Sequence, residues 1–361
     1  MKSKFFSSLL INGSLAIICL LWTIPTLGLL ISSFRDRIDI SNSGWWAVFP
    51  HQEWISVEKI TPAPTVDRYS PMTLGGITAT FEQFDAGINQ DGKKYIWIGN
   101  RRIGYLDVEQ YQWTVDTTFT LENYKQVLAS GQYTAKLANG TTDTNQGSDM
   151  ASGFLNSIAV TIPATVIPIA IAAFAAYGFA WIKFPGRKML FALVVGLLVV
   201  PLQISLIPLL QNFVALHLNG TFLSVWLAHT GFGLPLATYL LFNYISELPR
   251  DIFEAAHVDG ASHFKIFTNL VLPLSVPALA SFAIFQFLWV WNDYLVALVF
   301  LGGGAQNQVL TQRLANLVGS FGQNWELLTA AAFFSMAVPL IVFFSLQRYF
   351  VRGLLAGSVK G

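Results

Sequence analysis

Long apolar stretches separated by short polar connections dominate most of the chain. A helix rises 1.5 Å per residue, so about 20 apolar residues are enough to cross a ~30 Å hydrocarbon core. Six stretches reach this length and predict an all-α polytopic membrane protein with six transmembrane helices. The predicted spans cover residues 9–33, 154–182, 189–216, 221–244, 276–301 and 327–349.

The first predicted span follows Lys2 and Lys4, as the apolar core of a secretory signal peptide would. Its apolar part is too long for a signal peptide, and no Ala-x-Ala cleavage site follows it. We therefore predict that residues 1–34 form an uncleaved signal-anchor helix.

A polar region, residues 35–150, separates the first two spans and predicts a separate insert domain. It holds 14 acidic and ten basic residues, which gives a net charge of −4. Short β-branched and aromatic runs at 95–99 and 103–108 flank a predicted hairpin turn, and residues 110–119 alternate as a further strand. Residues 138–153 are rich in Gly, Thr, Asn and Asp and predict a loop. The insert is therefore expected to be mostly β.

The basic residues outside the insert predict the orientation of the protein in the membrane. Six spans place both termini on one side, and with that side cytoplasmic, ten of these 11 bases lie inside and only Arg313 lies outside. This distribution follows the positive-inside rule, which does not constrain long translocated domains. We predict a multi-pass membrane protein with both termini in the cytoplasm and an extracytoplasmic insert.

Composition and motifs exclude several classes of function. A net charge of +1 without a basic cluster excludes a nucleic-acid partner, and the single Cys19 excludes a cysteine metal cluster. Residues 87–94 fit the start of a phosphate-binding loop, but Lys94 stands where a Ser or Thr is required. The five His residues lack metal-ligand spacing. We expect a chain without catalytic residues, metal or cofactor.

Residues 245–275, between the fourth and fifth predicted spans, predict two short helices joined by a turn. Pro249 suits a first helical turn, and Asp259-Gly260 ends the first helix. Ser262 caps the second helix, which Pro273 ends. The second helix is expected to bury one face, made of Phe264, Phe267 and Val271.

The first of these helices carries one carboxylate, Glu254, beside the small residues Ala255 and Ala256. Such a helix suits docking into a groove on another protein. It equally suits an amphipathic loop that lies on the bilayer surface. The residues alone leave both interpretations open.

Three short motifs mark this loop: Glu254-Ala255-Ala256, Asp259-Gly260-Ala261 and Leu272-Pro273-Leu274. Their spacing closely resembles the signature loop of ATP-binding-cassette importer permeases, specifically the carbohydrate-uptake group that includes the maltose system. Three further parts of the chain resemble the same group. Residues 119–124 and 154–157 resemble its entry into the second span, and residues 175–180 and 184–187 resemble its first cytoplasmic turn. Residues 353–361 resemble the tail of the second maltose permease subunit. The long insert resembles the α-glucoside branch of the group.

The resemblance implies a type I importer permease fold within a heteromeric complex of the bacterial inner (plasma) membrane, where the insert would be periplasmic. The partners would be a second permease subunit, two ATPase subunits that bind ATP and Mg, and an extracytoplasmic sugar-binding protein. The substrate would be an α-glucoside such as sucrose, trehalose, maltose or glucosylglycerol.

The resemblance also implies two contacts with the ATPases. The coupling loop would contribute Glu254, Ala255, Ala256, Asp259 and Gly260. The C-terminal tail, residues 351–361, would reach between the two ATPases through Gly353, Gly357 and Lys360. Without the resemblance, a frayed terminus would be the favoured interpretation of that tail.

Few polar residues lie within the predicted spans, and those of the fifth span are candidates for a substrate pathway. Asp293 is the one carboxylate well inside a span, and Gln286 and Trp289 share its helix stripe, with Asn292 adjacent. The alternative is that Asp293 and Asn292 bind a neighbouring helix or its backbone. A rival function is a stand-alone ion-coupled carrier or channel that uses Asp293.

The insert has two open interpretations: a docking or lid domain for the binding protein, or a peripheral stabilising domain. Its tryptophans suit a core as well as a contact face; they are Trp45, Trp46, Trp54, Trp97 and Trp113. A third hypothesis is a membrane-anchored receptor or enzyme that uses the insert, but the sequence shows no carboxylate pair or catalytic triad to support it.

Overall fold

The structure, a computed structural model, describes residues 2–136, 140–320 and 324–356. The chain forms two compact units, one of residues 38–119 and one of the residues up to Arg37 and from Thr120 onward. The first of these, here called the β unit, is shorter than the predicted insert of 35–150. Residues 120–150 belong to the second unit, here called the helical unit, because the helix at Glu122–Leu128 packs against its long C-terminal helix.

Fifteen α-helices and eight strands are described, with two short 3₁₀ segments (Trp45–Val48 and Leu197–Val199) and one π-helical segment (Phe267–Val271). The helices are α1 (Lys2–Ser33), α2 (Arg37–Asn42), α3 (Phe81–Ala86), α4 (Glu122–Leu128), α5 (Met150–Trp181), α6 (Arg187–Gly196), α7 (Leu202–Ala215), α8 (Phe222–Ser246), α9 (Arg250–Val258), α10 (His263–Ile266), α11 (Leu272–Leu274), α12 (Val276–Asn292), α13 (Leu295–Leu301), α14 (Leu310–Ser320) and α15 (Trp325–Ala356). The strands are β1 (His51–Ile60), β2 (Met72–Leu74), β3 (Ile77–Ala79), β4 (Ile88–Gln90), β5 (Lys93–Gly99), β6 (Gly104–Thr114), β7 (Gln132–Lys136) and β8 (Thr142–Gln146).

The β unit is built on a four-stranded antiparallel sheet in the order β1-β6-β5-β4. The predicted hairpin is present, with Gly99 opposite Gly104. The predicted separate strand at 110–119 is wrong, because β6 runs without interruption from Gly104 to Thr114. One face of the sheet packs against α3 and the β2-β3 hairpin, and the buried residues of this core include Phe84, Trp97 and Leu106.

The phosphate-loop-like sequence forms a tight turn instead of a strand-loop-helix unit. Asp91 and Gly92 connect β4 to β5, and both have positive φ angles, 54° and 74°. Asp-Gly is the preferred sequence for a two-residue hairpin turn of this geometry. The turn leads into a strand, so no helix N-terminus is present to receive a phosphate.

The predicted loop at 138–153 is wrong for most of its length. β8 pairs with β7 in an antiparallel hairpin, where Thr134 lies opposite Thr144, and α5 already begins at Met150. Asp149 precedes α5 in a left-handed conformation, φ 49°. This stretch therefore contains strand β8 and the start of α5.

In the helical unit, α5 packs along α8 and α12, α12 packs against α15, and α15 contacts α1. The described part of the chain has four helices long and apolar enough to cross a membrane: α1, α5, α8 and α15. Two bent pairs bring the number to six if each pair is counted as one span.

The third and fifth predicted spans are therefore not continuous helices. Residues 187–199 and 202–215 meet at 103°, and residues 263–274 and 276–292 meet at 72°. The first bend lies at Pro201, which lacks a backbone N–H and keeps Val200 extended, φ −72° and ψ 117°. The predicted fifth span at 276–301 also breaks at Asp293, which separates α12 from α13.

The predicted C-terminal tail begins as a helix. α15 continues to Ala356 and includes Gly353, so the first residues of the predicted tail are helical. Gly357 and Lys360 lie outside the described residues.

Candidate functional site

The loop between α8 and α12 has the helix-turn-helix form that its sequence predicts. α9 begins directly after Pro249, and Gly260 follows it in a left-handed conformation, φ 74°. This conformation favours glycine because it has no Cβ. Ser262 then caps α10 by accepting a hydrogen bond from the Lys265 N–H at 3.4 Å.

The predicted buried face of the second helix is partly wrong. Phe267 and Val271 are buried, but Phe264 is 68% exposed and Ile266 takes its place in the core. The backbone widens into a π-helical turn at Phe267–Val271, so residues spaced for an α-helix no longer share one face. Pro273 does not end the helix, which continues to Leu274 before the bend at Ser275.

The predicted coupling helix, α9, is attached to the end of α5 by an aromatic stack. Phe253 is buried and its ring lies 3.9 Å from the Trp181 ring, at an interplanar angle of 14°. Trp181 also donates its Nε1–H to the Ile245 carbonyl at 3.0 Å. The indole therefore joins three elements, namely the end of α5, the end of α8 and α9.

A second set of contacts attaches α10 and the π-helical turn to the same end of α5. The Tyr177 hydroxyl lies 2.9 Å from Nδ1 of His263. One helical turn before Tyr177, the Phe174 ring stacks on the Phe267 ring at 4.1 Å. The final two turns of α5 thus contact both halves of the loop.

The loop exposes the predicted contact residues Glu254, Ala255, Asp259 and Gly260, whereas Ala256 is half-buried against the core below. It also exposes two large apolar side chains that the sequence reasoning did not assign to this surface. Val258 is 88% exposed and Phe264 is 68% exposed. The exposure of Val258 could have been predicted, because Phe253 already provides the buried apolar side chain of this short helix. Both side chains add apolar area to the exposed surface of the loop.

In the membrane-spanning part, the buried Gln286 amide joins α12 to α5 and α8. Its Nε2 donates to the Ala164 carbonyl at 3.2 Å and to the His229 carbonyl at 3.5 Å. A Cβ at Gly233 would lie 2.7 Å from this amide, so glycine is required there for the close approach.

Three of the four predicted pathway residues, Gln286, Trp289 and Asp293, converge on His229 of α8. The His229 ring stands perpendicular to the Trp289 ring at a centroid distance of 5.2 Å, and its Nε2 lies 3.8 Å from Oδ2 of Asp293. Asn292 points away, is exposed and donates to the carbonyl of Leu288. His229 was missed by the sequence reasoning, although a histidine within an apolar span was the available signal.

Asp293 has a structural role at the break of the fifth span. Its Oδ1 accepts the backbone N–H of Val296 at 2.9 Å, which caps the first turn of α13. Its carbonyl accepts a hydrogen bond from the Thr311 hydroxyl at 3.0 Å. One of the two Asp293 carboxylate oxygens, Oδ1, thus binds backbone, as the alternative interpretation of this residue expects.

A cavity of about 630 Å³ lies beside this cluster. Its walls come from both sides of the bend at Pro201, from one face of α8 and from the Trp289 side chain. The described residues that line it include no ionisable side chain, and the polar groups are Ser205, Asn212 and the Trp289 indole. In the described ranges, no three His, Cys, Asp or Glu side chains are grouped so that they would hold a metal ion.

Comparison with known proteins identifies the family. The profile described as "Binding-protein-dependent transport system inner membrane component" matches residues 149–355, which include the coupling loop, the cavity and α12. The chain belongs to this family. It is thus a permease subunit of an ATP-binding-cassette transporter, a membrane component without catalytic residues.

Two relatives match the whole length of this permease. The "Osmoprotective compounds uptake permease protein GgtD" of Synechocystis sp. is 50% identical over 359 residues, which are 99% of this chain and 94% of the relative. The "Alpha-glucoside transport system permease protein AglG" of Rhizobium meliloti is 48% identical over an alignment of 389 positions, which covers 97% of this chain and 97% of the relative. Among solved structures, a bacterial transporter involved in alginate import covers 65% of this chain and 81% of its own at 19% identity, with a TM-score of 0.49.

Proposed function

We propose that this permease carries a neutral glucosyl solute across the bacterial inner membrane by alternating access. It would do so together with a second permease subunit, two ATPase subunits and an extracytoplasmic sugar-binding protein. ATP and Mg would be bound by the ATPases, as the context of an ATP-binding-cassette importer implies. The substrate class is supported by the names of the two full-length relatives, which concern α-glucosides and osmoprotective compounds.

The observation that carries the coupling proposal is the attachment of α9 to α5. The exposed Glu254 lies directly after Phe253, whose ring is stacked on Trp181. A force applied to α9 by a closing ATPase dimer therefore acts on α5, which packs along α8 and α12 beside the cavity. We assign the ATPase contact to Glu254, Ala255, Asp259 and Gly260, and we add Val258 and Phe264 because both are strongly exposed.

The topology proposed for the complex has six spans, with each bent pair counted as one, and both termini in the cytoplasm. The distribution of basic residues supports it, since the coupling loop and both chain ends carry bases. The β unit would then lie in the periplasm, where it is available to the binding protein. The C-terminal segment 351–361 would extend toward the ATPases.

The test of this proposal is a charge reversal at the coupling helix. In a complex reconstituted in liposomes, Glu254→Lys is expected to abolish ATP-dependent uptake of a glucoside supplied with its binding protein. Glu58→Lys makes the same change at an exposed residue of the β unit and is the matched control. Normal uptake by Glu254→Lys and by a chain lacking the last nine residues would overturn the coupling assignment.

The alternative of a stand-alone ion-coupled carrier has no comparable support. Of the two Asp293 carboxylate oxygens, one caps α13 and the other faces His229 within ion-pair distance. The residues lining the neighbouring cavity do not include Asp293. Transport by the purified single chain under an ion gradient would favour that alternative.

A further inference from the structure

The cavity beside α8 lies where two membrane helices are interrupted. Its wall includes Leu197, Val200 and Leu202, which flank the 103° bend of the third span. Trp289, which also lines the cavity, stands one turn before the break of the fifth span at Asp293. Interrupted helices within a membrane are tolerated where they line a cavity, and they mark binding sites in transport proteins.

The chemistry of the lining selects an uncharged ligand with both an apolar face and hydroxyl groups. The described lining residues are apolar except for Ser205, Asn212 and the Trp289 indole, and none of them is ionisable. An ion or a charged solute would lose its hydration without gaining a counter-charge. A pyranose ring offers C–H groups to an indole face, while its hydroxyls bond to amide and hydroxyl groups.

The ring of Trp289 is held from behind by buried polar groups. His229 is 1% exposed and stands perpendicular to the indole at 5.2 Å. Asp293 lies 3.8 Å behind its Nε2, and the Gln286 amide bonds to the carbonyl of the same histidine. His229 thus packs against the indole, and the contacts of Asp293 and Gln286 support the position of His229.

We propose that this cavity binds one glucosyl unit of the transported solute, with Trp289 as the stacking residue and Asn212 and Ser205 as hydroxyl partners. His229 is a positioning residue that acts on the sugar through Trp289. The proposal rests on the proposed function and adds a substrate site on this subunit.

The first test measures the KM of uptake in reconstituted complexes, with trehalose and sucrose as probes. Because an aromatic contact of this kind contributes up to about 1.4 kcal/mol, Trp289→Ala is expected to raise KM about ten-fold, and Trp289→Tyr to restore most of it. Trp325→Ala, which removes an exposed tryptophan outside the cavity, is the matched control. An unchanged KM in Trp289→Ala, with normal uptake by the wild-type complex, would overturn the inference alone. No uptake of either sugar by the wild-type complex would overturn the proposed function.

The positioning role of His229 is tested by a double-mutant cycle. His229→Ala is expected to raise KM with little change in the maximal rate, and to add nothing further in the Trp289→Ala background. His229→Phe keeps a ring against the indole and should restore the KM. Additive effects of the two alanine substitutions would exclude action through Trp289.

A third measurement does not depend on transport. Asn212→Cys, in a Cys19→Ser background that removes the native thiol, is labelled with a water-soluble maleimide in the assembled complex. Slower labelling in the presence of trehalose or sucrose supports the site. Absence of labelling with and without sugar would indicate that the second permease subunit fills the cavity and would overturn the proposal.

Discussion

The stack between Trp181 and Phe253 leads to a specific prediction about how ATP hydrolysis is coupled to transport. The Trp181 indole makes the parallel contact at 3.9 Å with the coupling helix and donates to the Ile245 carbonyl at 3.0 Å. Replacing a packed tryptophan by alanine costs about 3–5 kcal/mol, and Trp181 is only half-buried, so we take ~3 kcal/mol for Trp181→Ala. This corresponds to roughly a 100-fold weaker attachment of α9 to α5.

Trp181→Ala is therefore expected to separate ATP hydrolysis from transport. ATP hydrolysis without the binding protein should persist, because this chain supplies none of the catalytic groups. Stimulation by the sugar-loaded binding protein, and the maximal rate of uptake, should fall by at least about ten-fold. Trp181→Phe keeps the stack and loses the hydrogen bond, worth about 1 kcal/mol, and should retain much of the coupling.

The assay compares uptake and ATP hydrolysis in the same proteoliposomes, after the amount of assembled complex has been measured by co-purification. Trp22→Ala, at a tryptophan 81% exposed on α1, controls for the loss of an indole from a membrane helix. Full stimulation and uptake in a correctly assembled Trp181→Ala complex would refute the assignment of α5 as the element that receives the motion of α9.

Two further predictions concern packing and protonation. Gly233→Ala places a Cβ 2.7 Å from the Gln286 amide and should lower the melting temperature of the purified protein by the equivalent of about 1–3 kcal/mol. The double variant Gly233→Ala with Gln286→Ala removes the crowded amide and should recover the melting temperature. Equal melting temperatures of the single and the double variant would contradict this contact. In the β unit, the hydrogen bond to the Phe49 carbonyl, and to a smaller extent Glu53, raises the pKa of His51 above its ordinary value of 6.5. The contribution of protonated His51 to stability is therefore complete below about pH 6.5 and is lost as the pH rises through the raised pKa. Histidine NMR titration, assigned with His51→Gln, should show a midpoint above 6.5 that falls in Glu53→Gln, and a midpoint at or below 6.5 would disprove it.

Local patterns in the sequence were sufficient for several parts of the protein. The helix-turn-helix form of the coupling loop follows from Pro249, Gly260 and Ser262, because each acts on backbone within a few residues of itself. The hairpin between β5 and β6 follows from the same kind of local signal. The family resemblance rests on the coupling-loop motifs, whose spacing is a property of the sequence alone.

Other features were not readable from local patterns. Mean hydropathy over a span is unchanged when the helix bends, so the 103° angle at Pro201 was hidden in a continuous apolar stretch. Phe264 was placed in the core because α-helical spacing was assumed, and the π-helical turn at Phe267–Val271 removes that spacing.

The sequence by itself determined which residues are apolar enough to enter the membrane, which loop carries the signature motifs, and that Gln286, Trp289 and Asp293 share one stripe of a helix. Only the tertiary structure decided that this stripe meets His229, and that Trp181 meets Phe253. The partners in these contacts lie 60 to 72 residues apart in the chain. The packing of α5, α8 and α12 brings them together, and helix packing depends on the shapes of whole helix faces and not on any short sequence pattern.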